Sequence, residues 1–125
     1  MDRDFTIRYL VDDVAAAAAF YTGQLGFAVD LDSSPAFVQV TRGQLALQLS
    51  GPTSSAGQPM PDGRIPRPGG WNRIQLAVED LDAIVDRLKA AGVIFRNEIV
   101  AGRGGRQILL DDPAGNPIGL YERAG

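Results

Sequence analysis

The chain of 125 residues is long enough for one domain, is 45% hydrophobic and 22% charged, and has a formal net charge of −3. These are ordinary values for a globular protein, and the acidic balance argues against a nucleic-acid binder, which normally carries a basic excess. Cysteine and histidine are both absent, which excludes disulfides, thiolate chemistry and the usual ligands of catalytic zinc. No apolar run approaches the ~20 residues of a membrane-spanning helix. We therefore expect a cytoplasmic protein without membrane or nucleic-acid partners.

Two stretches of the chain repeat each other. Val11-Asp12-Asp13-Val14 and Val78-Glu79-Asp80-Leu81 match at a constant offset of 67 residues, each after an alternating apolar run and before a helix-like one. Asp13 and Asp80 stand where helix N-caps belong, because a short carboxylate accepts the unpaired backbone N–H groups of the first turn. The pattern predicts a strand, a tight turn and a helix at the start of each half of the chain.

The remaining elements follow each helix in the same order. In the first half, glycine ends the helix and strand-like runs then cover residues 27–31, 37–41 and 45–49. In the second half, glycine again ends the helix and such runs cover 94–99, 106–110 and 117–122. Each half therefore has a βαβββ pattern. We expect one domain over residues 1–125, with a first unit at 1–50, a linker at 51–70 and a second unit at 71–125.

The linker holds five proline and five glycine residues within residues 51–70. Loops of this length inside compact domains are usually functional or disordered. Two interpretations stay open at this point: an ordered lid or arm that packs over a pocket or a partner, and a flexible connector.

Over nearly the whole chain, the pattern resembles the vicinal oxygen chelate superfamily, which includes glyoxalases, bleomycin-resistance proteins and extradiol dioxygenases. The matching pieces are the two repeated stretches, Phe20-Tyr21 with Leu25-Gly26-Phe27, Ala91-Gly92-Val93, and Asp112-Pro113-Ala114-Gly115-Asn116-Pro117-Ile118. The resemblance implies an α+β fold in which two tandem βαβββ units form a curved mixed sheet. Each unit would form half of a cup, and paired units, within a chain or across a dimer, would enclose a cavity.

The resemblance also implies where a metal would be bound. Metal-dependent members typically carry His or Gln on the first strand of each unit and Glu on the last strand. In this chain the four corresponding places hold Thr6, Gln48, Arg73 and Gly119. None of them has a carboxylate or an imidazole, and Arg73 would place a cation inside a cation site. The chain is therefore more similar to the metal-free branch, and we expect neither a metal nor another cofactor.

Strand alternation predicts which side chains share the concave face, since successive residues of a strand point to opposite faces of its sheet. We expect a ligand-binding surface with two arginines, three glutamines, a few aromatic rings and no acid. The predicted ligand-binding residues are Thr6, Arg8, Phe37, Gln39, Gln48, Trp71, Arg73, Gln75 and Tyr121.

Some of these residues have a second interpretation. Arg8 and Arg73 bind an anionic ligand through bidentate hydrogen bonds, bridge carboxylates such as Glu98 and Asp32 at sheet ends or subunit contacts, or act as catalytic cations. Trp71 either fills a gap in the core or offers a surface on which a ligand stacks. The adjacent acid pairs of the chain stand at caps and turns, where local hydrogen bonding explains them better than a divalent-ion site does.

The favoured function is a metal-independent small-molecule-binding protein of the glyoxalase/bleomycin-resistance type, which sequesters an antibiotic or a metabolite of aromatic or anionic character. One alternative is a glyoxalase-like lyase, isomerase or dioxygenase, although Tyr121 is the one titratable hydroxyl expected in the cavity. A second alternative is a structural or regulatory dimer without a ligand. We also expect a homodimer, because closed twofold pairing is the commonest way to cover apolar faces.

Overall fold

The computed structural model describes residues 3–125 and divides the chain into two compact units, the first ending at Gly69 and the second spanning Gly70–Gly125. The helices and strands of the first unit are β1 (Ile7–Leu10), α1 (Val14–Gln24), β2 (Ala28–Ser33), β3 (Phe37–Arg42) and β4 (Leu45–Ser50). Those of the second are β5 (Ile74–Ala77), α2 (Leu81–Ala90), β6 (Val100–Gly102), β7 (Gly105–Asp111) and β8 (Pro117–Arg123). The predicted α+β fold with two βαβββ units is confirmed.

Each unit builds the same kind of four-stranded sheet. The strand order is β1-β4-β3-β2 in the first unit and β5-β8-β7-β6 in the second. The β1–β4 and β5–β8 pairs are parallel, and the other neighbours are antiparallel. Parallel strands need a crossover connection, and α1 and α2 lie within these crossovers.

Both helices begin at the predicted aspartate caps. Asp13 Oδ1 accepts the backbone N–H of Ala16 at 3.0 Å, and Asp80 Oδ1 accepts that of Ala83 at 3.1 Å. These bonds satisfy donors of the first turn that the helix itself leaves unpaired. Between residues 3 and 125, neither helix is long and apolar enough to cross a membrane.

One face of each sheet supplies the core of its own unit. In the first unit this face is at most 3% exposed at Val38, Val40, Leu47 and Leu49. In the second unit it is at most 1% exposed at Ile108, Leu110, Ile118 and Leu120. Because alternate residues of a strand face opposite sides, the residues between these positions form the open face of each sheet.

The strand after α2 lies later in the chain than the sequence predicts. The run at 94–99 makes only an isolated bridge, between Phe95 and Leu110, and the three-residue β6 begins after this run ends. Asn97 explains part of the difference, because its Oδ1 accepts the backbone N–H of Leu109 at 2.9 Å. In a regular ladder a backbone carbonyl would take that bond.

The proline- and glycine-rich segment, except for Gly70, lies within the first unit and contains ordered turns. A 3-10 turn at Ser55–Gly57 follows Ser54, whose buried hydroxyl donates to the carbonyl of Gly51 at 2.6 Å. Further along, the backbone N–H of Met60 donates to the carbonyl of Arg64 at 2.7 Å and closes an exposed tip. These bonds give the segment local order, while its role as a lid or arm and the domain boundaries stay predictions.

Candidate functional site

The open face of the first sheet carries a row of polar side chains. The register pairs Arg8 with Gln48 and Gln48 with Gln39, so the three lie side by side across β1, β4 and β3. Gln48 Nε2 donates to Gln39 Oε1 at 2.9 Å. Phe37 lies on the same face, two residues before Gln39 in β3. The structure thus brings together four of the residues that the sequence assigns to ligand binding.

An acid lies beside this row, contrary to the expectation of a face without one. Gln39 Nε2 donates to Asp30 Oδ2 at 2.8 Å. Asp30 lies in β2 where the register shifts between Val29 and Leu31, as in a β-bulge. A bulge interrupts the alternation of side chains along a strand, so alternation does not reveal the position of Asp30.

Among residues 3–125, no carboxylate pairs with either of the two arginines of the predicted site. Arg8 Nη1 donates to the Oγ of Ser50, which is 1% exposed, at 3.0 Å. Within residues 3–125, neither Arg8 nor Arg73 takes part in an ion pair. Glu98 and Asp32, the acids suggested as partners, contact other residues. Within residues 3–125 Arg8 and Arg73 thus form no bridge to Glu98 or Asp32, while a bridge to a carboxylate at a subunit contact stays a prediction.

The open face of the second sheet carries two further glutamines and a tyrosine. Gln75 Nε2 donates to Gln107 Oε1 at 3.4 Å, and Gln107 pairs in register with Tyr121. Arg123 Nη2 donates to the Tyr121 hydroxyl at 3.4 Å, and this hydrogen bond raises the pKa of Arg123. These four side chains line an open cavity of about 520 Å³ beside the turn at 102–105. The sequence does not single out Gln107 or Arg123, although alternation along β7 and β8 places both on this face.

Trp71 lies at the surface of the second unit. Its exposed fraction is 67%, so the interpretation as a core residue is wrong. The Arg96 guanidinium carbon lies 4.6 Å from the centroid of the Trp71 ring. Arg73 Nη1 donates to the Trp71 carbonyl at 3.2 Å. The remaining predicted residue, Thr6, is exposed and directly precedes β1.

The family of the chain follows from comparison with known proteins. Residues 5–120 match the model of the Glyoxalase/Bleomycin resistance protein/Dioxygenase superfamily. The chain belongs to this superfamily. The resemblance stated from the sequence is thereby confirmed.

Relatives within the glyoxalase/bleomycin-resistance superfamily cover the whole fold. The chain is 32% identical over 112 residues to the protein named "Putative glyoxylase CFP32" of Mycobacterium tuberculosis and Mycobacterium bovis, over 88% of this chain and 41% of that protein. It thus spans less than half the length of these curated relatives. A superfamily member from Sphaerobacter thermophilus is 28% identical, with a TM-score of 0.72 over 97% of this chain and 98% of the other. TnmS3, an antibiotic binding protein from Streptomyces sp. CB03234, is 26% identical, with a TM-score of 0.69 over 99% of each chain.

The residues at the metal-ligand places of the superfamily do not fit a metal. The Gln48 side chain is neutral and donates its Nε2–H to Gln39, and Arg73 is a cation. Gly119 has no side chain, and a Cβ built there would lie 3.1 Å from Gln75 Cγ, so Gln75 fills the space that a longer ligand would need. Among residues 3–125, no three His, Cys, Asp or Glu side chains form a group that could hold an ion. We therefore derive no metal-dependent step for this chain.

An ionic cluster ties the start of α2 to the sheet of the second unit. Glu122 Oε2 accepts the backbone N–H of Leu81 at 2.9 Å, and Glu122 Oε1 lies 3.0 Å from Arg106 Nη2. Arg106 Nη2 also lies 2.7 Å from Asp82 Oδ2. The Leu81 N–H, and after it Arg106, lower the pKa of Glu122, and the Arg106 hydrogen bond lowers the pKa of Asp82.

The Glu122→Gln variant is expected to be less stable than the wild type at pH 7 and equally stable in acid. A carboxyl whose pKa is lowered by folding stabilises the protein above its unfolded pKa, and the stabilisation is lost as the pH falls through the folded pKa. The ordinary pKa of this carboxyl is 4.5. The difference in melting temperature between the wild type and Glu122→Gln should therefore be complete above pH 4.5, and it should disappear as the pH falls through the lowered pKa of the folded state. The measurement is thermal unfolding from pH 7 to pH 2.5. Glu98→Gln, at a carboxylate that is 90% exposed, is the control and should melt at the wild-type temperature. A difference in melting temperature between Glu122→Gln and the wild type that does not depend on pH would contradict the prediction.

Proposed function

We propose that this chain is a metal-independent small-molecule-binding protein that sequesters an anionic, aromatic compound such as an antibiotic or a metabolite. The observation that carries this proposal is the set of hydrogen-bond partners of Arg8 and Arg73. Each guanidinium is hydrogen-bonded to a neutral oxygen, the Ser50 hydroxyl or the Trp71 carbonyl, and to no carboxylate of residues 3–125.

The chemistry of the open faces supports this class of ligand. A guanidinium binds a carboxylate or a phenolate through charge-assisted hydrogen bonds, which are stronger than bonds between neutral groups. On the open face of the first sheet, Gln39 and Gln48 can orient polar groups and Phe37 supplies apolar contact. On that of the second sheet, Gln75 and Tyr121 have the same two roles. The likeness to TnmS3, an antibiotic binding protein that is 26% identical over 99% of its length, supports a small-molecule-binding role.

The binding test is a panel of ligands measured by thermal shift and calorimetry. Aromatic carboxylates should stabilise the wild type, since a ligand that binds only the native state raises its stability. Arg8→Ala should weaken binding at the open face of the first unit, and Arg73→Ala should weaken binding at the second unit. Each loss should be about tenfold, the equivalent of one charge-assisted bond discounted for solvent exposure. Arg64→Ala removes an exposed arginine that pairs with Asp62 and is the matched control.

The polycation bleomycin is included in this panel as a ligand of opposite charge. A cationic ligand is repelled by guanidinium groups that pair with no carboxylate of residues 3–125, so bleomycin should bind more weakly than the aromatic acids. Bleomycin binding that is tight in the wild type and is unchanged or weakened in the arginine variants would contradict the proposal. Turnover of a glyoxalase-type substrate by the metal-free protein would favour the enzyme instead.

Metal analysis gives a separate prediction. Because Thr6, Gln48, Arg73 and Gly119 offer no carboxylate or imidazole, protein purified without added metal should contain far less than one equivalent of zinc, nickel or iron by elemental analysis. Ligand affinity should not change after treatment with a chelator. One equivalent of a divalent metal, lost together with ligand binding, would contradict metal independence.

We also propose a homodimer. Apolar side chains remain half exposed in the first unit at Val29, Leu31 and Ile65, and closed twofold pairing is the commonest way in which proteins cover such surfaces. Light scattering at micromolar concentration should give twice the chain mass of 13.3 kDa. A mass of one chain would contradict the proposal.

A further inference from the structure

We propose that Trp71, fixed by Arg96, is a preorganised platform on which a flat aromatic ring with an acidic group stacks. This inference rests on the proposed function and deepens it, since it names the part of the ligand that Trp71 contacts and a positioning residue behind it. Three observations support it: the hydrogen bonds of the Arg96 guanidinium, the contact of this guanidinium with the Trp71 ring, and the positive charges beside the exposed part of the ring.

Hydrogen bonds fix the Arg96 guanidinium from three directions. Nε donates to Asp111 Oδ1 at 2.5 Å, Nη1 donates to the carbonyl of Gly70 at 2.7 Å, and Nη2 donates to the carbonyl of Gly115 at 2.9 Å. The Arg96 side chain is 17% exposed and that of Asp111 is 23% exposed, so water competes little for these bonds. The guanidinium therefore has a defined position and orientation.

The same guanidinium holds both the ring and the backbone of Trp71. Its carbon lies 4.6 Å from the ring centroid, within the range of a cation–π contact. The carbonyl that it binds on Gly70 belongs to the peptide unit that precedes Trp71. Gly70 itself has φ of +86°, a conformation that glycine adopts without strain. The ring is thus ordered before a ligand arrives, which reduces the loss of side-chain freedom on binding.

The charge around the ring selects the ligand. Trp71 is 67% exposed although the guanidinium contacts one face of its ring, so much of the ring is open to a ligand. An aromatic face attracts a cation through its negative quadrupole, and Arg96 already uses this attraction. A second cation on the ring would be repelled by Arg96 and by Arg73, whose Nη1 is bonded to the Trp71 carbonyl. An electron-rich ring that carries an acid is attracted by the same charges.

The first experiment uses two naphthalene compounds of opposite charge. Trp71 is the only tryptophan of the chain, so its indole N–H gives a single signal in a ¹H–¹⁵N spectrum. The wild type is titrated with 2-naphthoate and with 2-naphthylmethylammonium, which share the ring system. We expect 2-naphthoate to shift the indole signal and to bind at least about tenfold more tightly than the ammonium compound.

The second experiment separates the platform from the residue that positions it. Trp71→Ala should raise the Kd of 2-naphthoate by about tenfold or more, because the stacking surface is lost. Arg96→Met should lower the anisotropy of the tryptophan emission, and it should raise this Kd by about three- to tenfold because the ring must be ordered on binding. Arg96→Lys keeps the charge without the three-directional bonding and should also free the ring. Arg64→Met, at an arginine whose side chain is 82% exposed, should change neither quantity.

The results distinguish this platform from the proposed function. An indole signal that 2-naphthoate leaves unshifted, wild-type affinity in Trp71→Ala, or unchanged emission anisotropy in Arg96→Met would overturn the platform. The exposed position of Trp71 keeps the Trp71→Ala test valid even where an Arg96 variant fails to fold. Loss of 2-naphthoate affinity in Arg8→Ala and Arg73→Ala, but not in Trp71→Ala, would leave the proposed function in place without the platform. A shifted indole signal with full affinity in both arginine variants would leave the platform in place and remove the proposed anion contacts.

Discussion

Replacing Gly105 with alanine is expected to disrupt the β7–β8 pairing of the second unit. A Cβ at this position would lie 1.9 Å from the backbone oxygen of Glu122 and 2.9 Å from the backbone nitrogen of Ala124. Backbone atoms of a paired strand have no free rotation by which to avoid the clash, and φ at Gly105 is +137°, which an L side chain rarely adopts. We expect a destabilisation of about 3 kcal/mol or more, at the upper end for a single substitution.

Gly104→Ala is the matched control for this variant. No atom lies within 4 Å of a Cβ built at Gly104, so its stability should stay within about 0.5 kcal/mol of the wild type. Urea unfolding followed by far-UV circular dichroism measures both variants. An unfolding midpoint of Gly105→Ala equal to that of Gly104→Ala would show that the two strands do not approach each other in this way.

The second large effect is expected at Tyr21 in the core of the first unit. Tyr21 is 0% exposed and makes edge-to-face contacts with Phe20 at 5.3 Å and with Phe27 at 5.4 Å between ring centroids. Truncation removes both contacts and leaves a cavity beneath an otherwise alanine-rich helix. We expect Tyr21→Ala to cost about 3–5 kcal/mol of stability, the usual range for a buried aromatic residue.

Phe20→Ala tests whether burial decides this cost. Phe20 is the neighbouring aromatic residue of α1 and is only half-buried, so less apolar surface returns to water and the surrounding chain can close over the gap. The loss should be about half that of Tyr21→Ala or less, as measured by the same urea unfolding experiment. Equal losses in the two variants would contradict the burial that the structure gives them.

The sequence predicts the fold well where the signals are local. Asp13 and Asp80 are N-caps as expected, because a cap depends on the residue and on the turn that follows it. The misplaced strand at 94–99 shows the limit of such reasoning. Its apolar pattern is that of a strand. However, the Asn97 side chain accepts a hydrogen bond from the Leu109 amide, and the Arg96 side chain donates to the carbonyls of Gly70 and Gly115. These long-range bonds leave no periodic signal in the sequence.

In the candidate site, too, local signals are predicted from the sequence and long-range contacts are not. Alternation correctly places Gln39 and Gln48 on one face, because strand geometry fixes the direction of each side chain. It misses Asp30, which a bulge brings to Gln39. It also misses the stack of Arg96 on Trp71, because that contact joins residues from a loop and from an irregular edge. Sequence reasoning finds the faces of the sheets, while the partners of each side chain require the structure.

The exposed tip of the proline- and glycine-rich segment offers a position for protein engineering. The N–H of Met60 is bonded to the carbonyl of Arg64, so the chain enters and leaves this tip at one point. A peptide inserted after Asp62 would begin and end at neighbouring positions, and closing an enlarged loop costs little additional entropy. The buried Ser54, whose hydroxyl binds the carbonyl of Gly51, anchors the segment upstream of the insertion. An epitope or a fluorescent reporter could therefore be displayed there without extending either end of the chain.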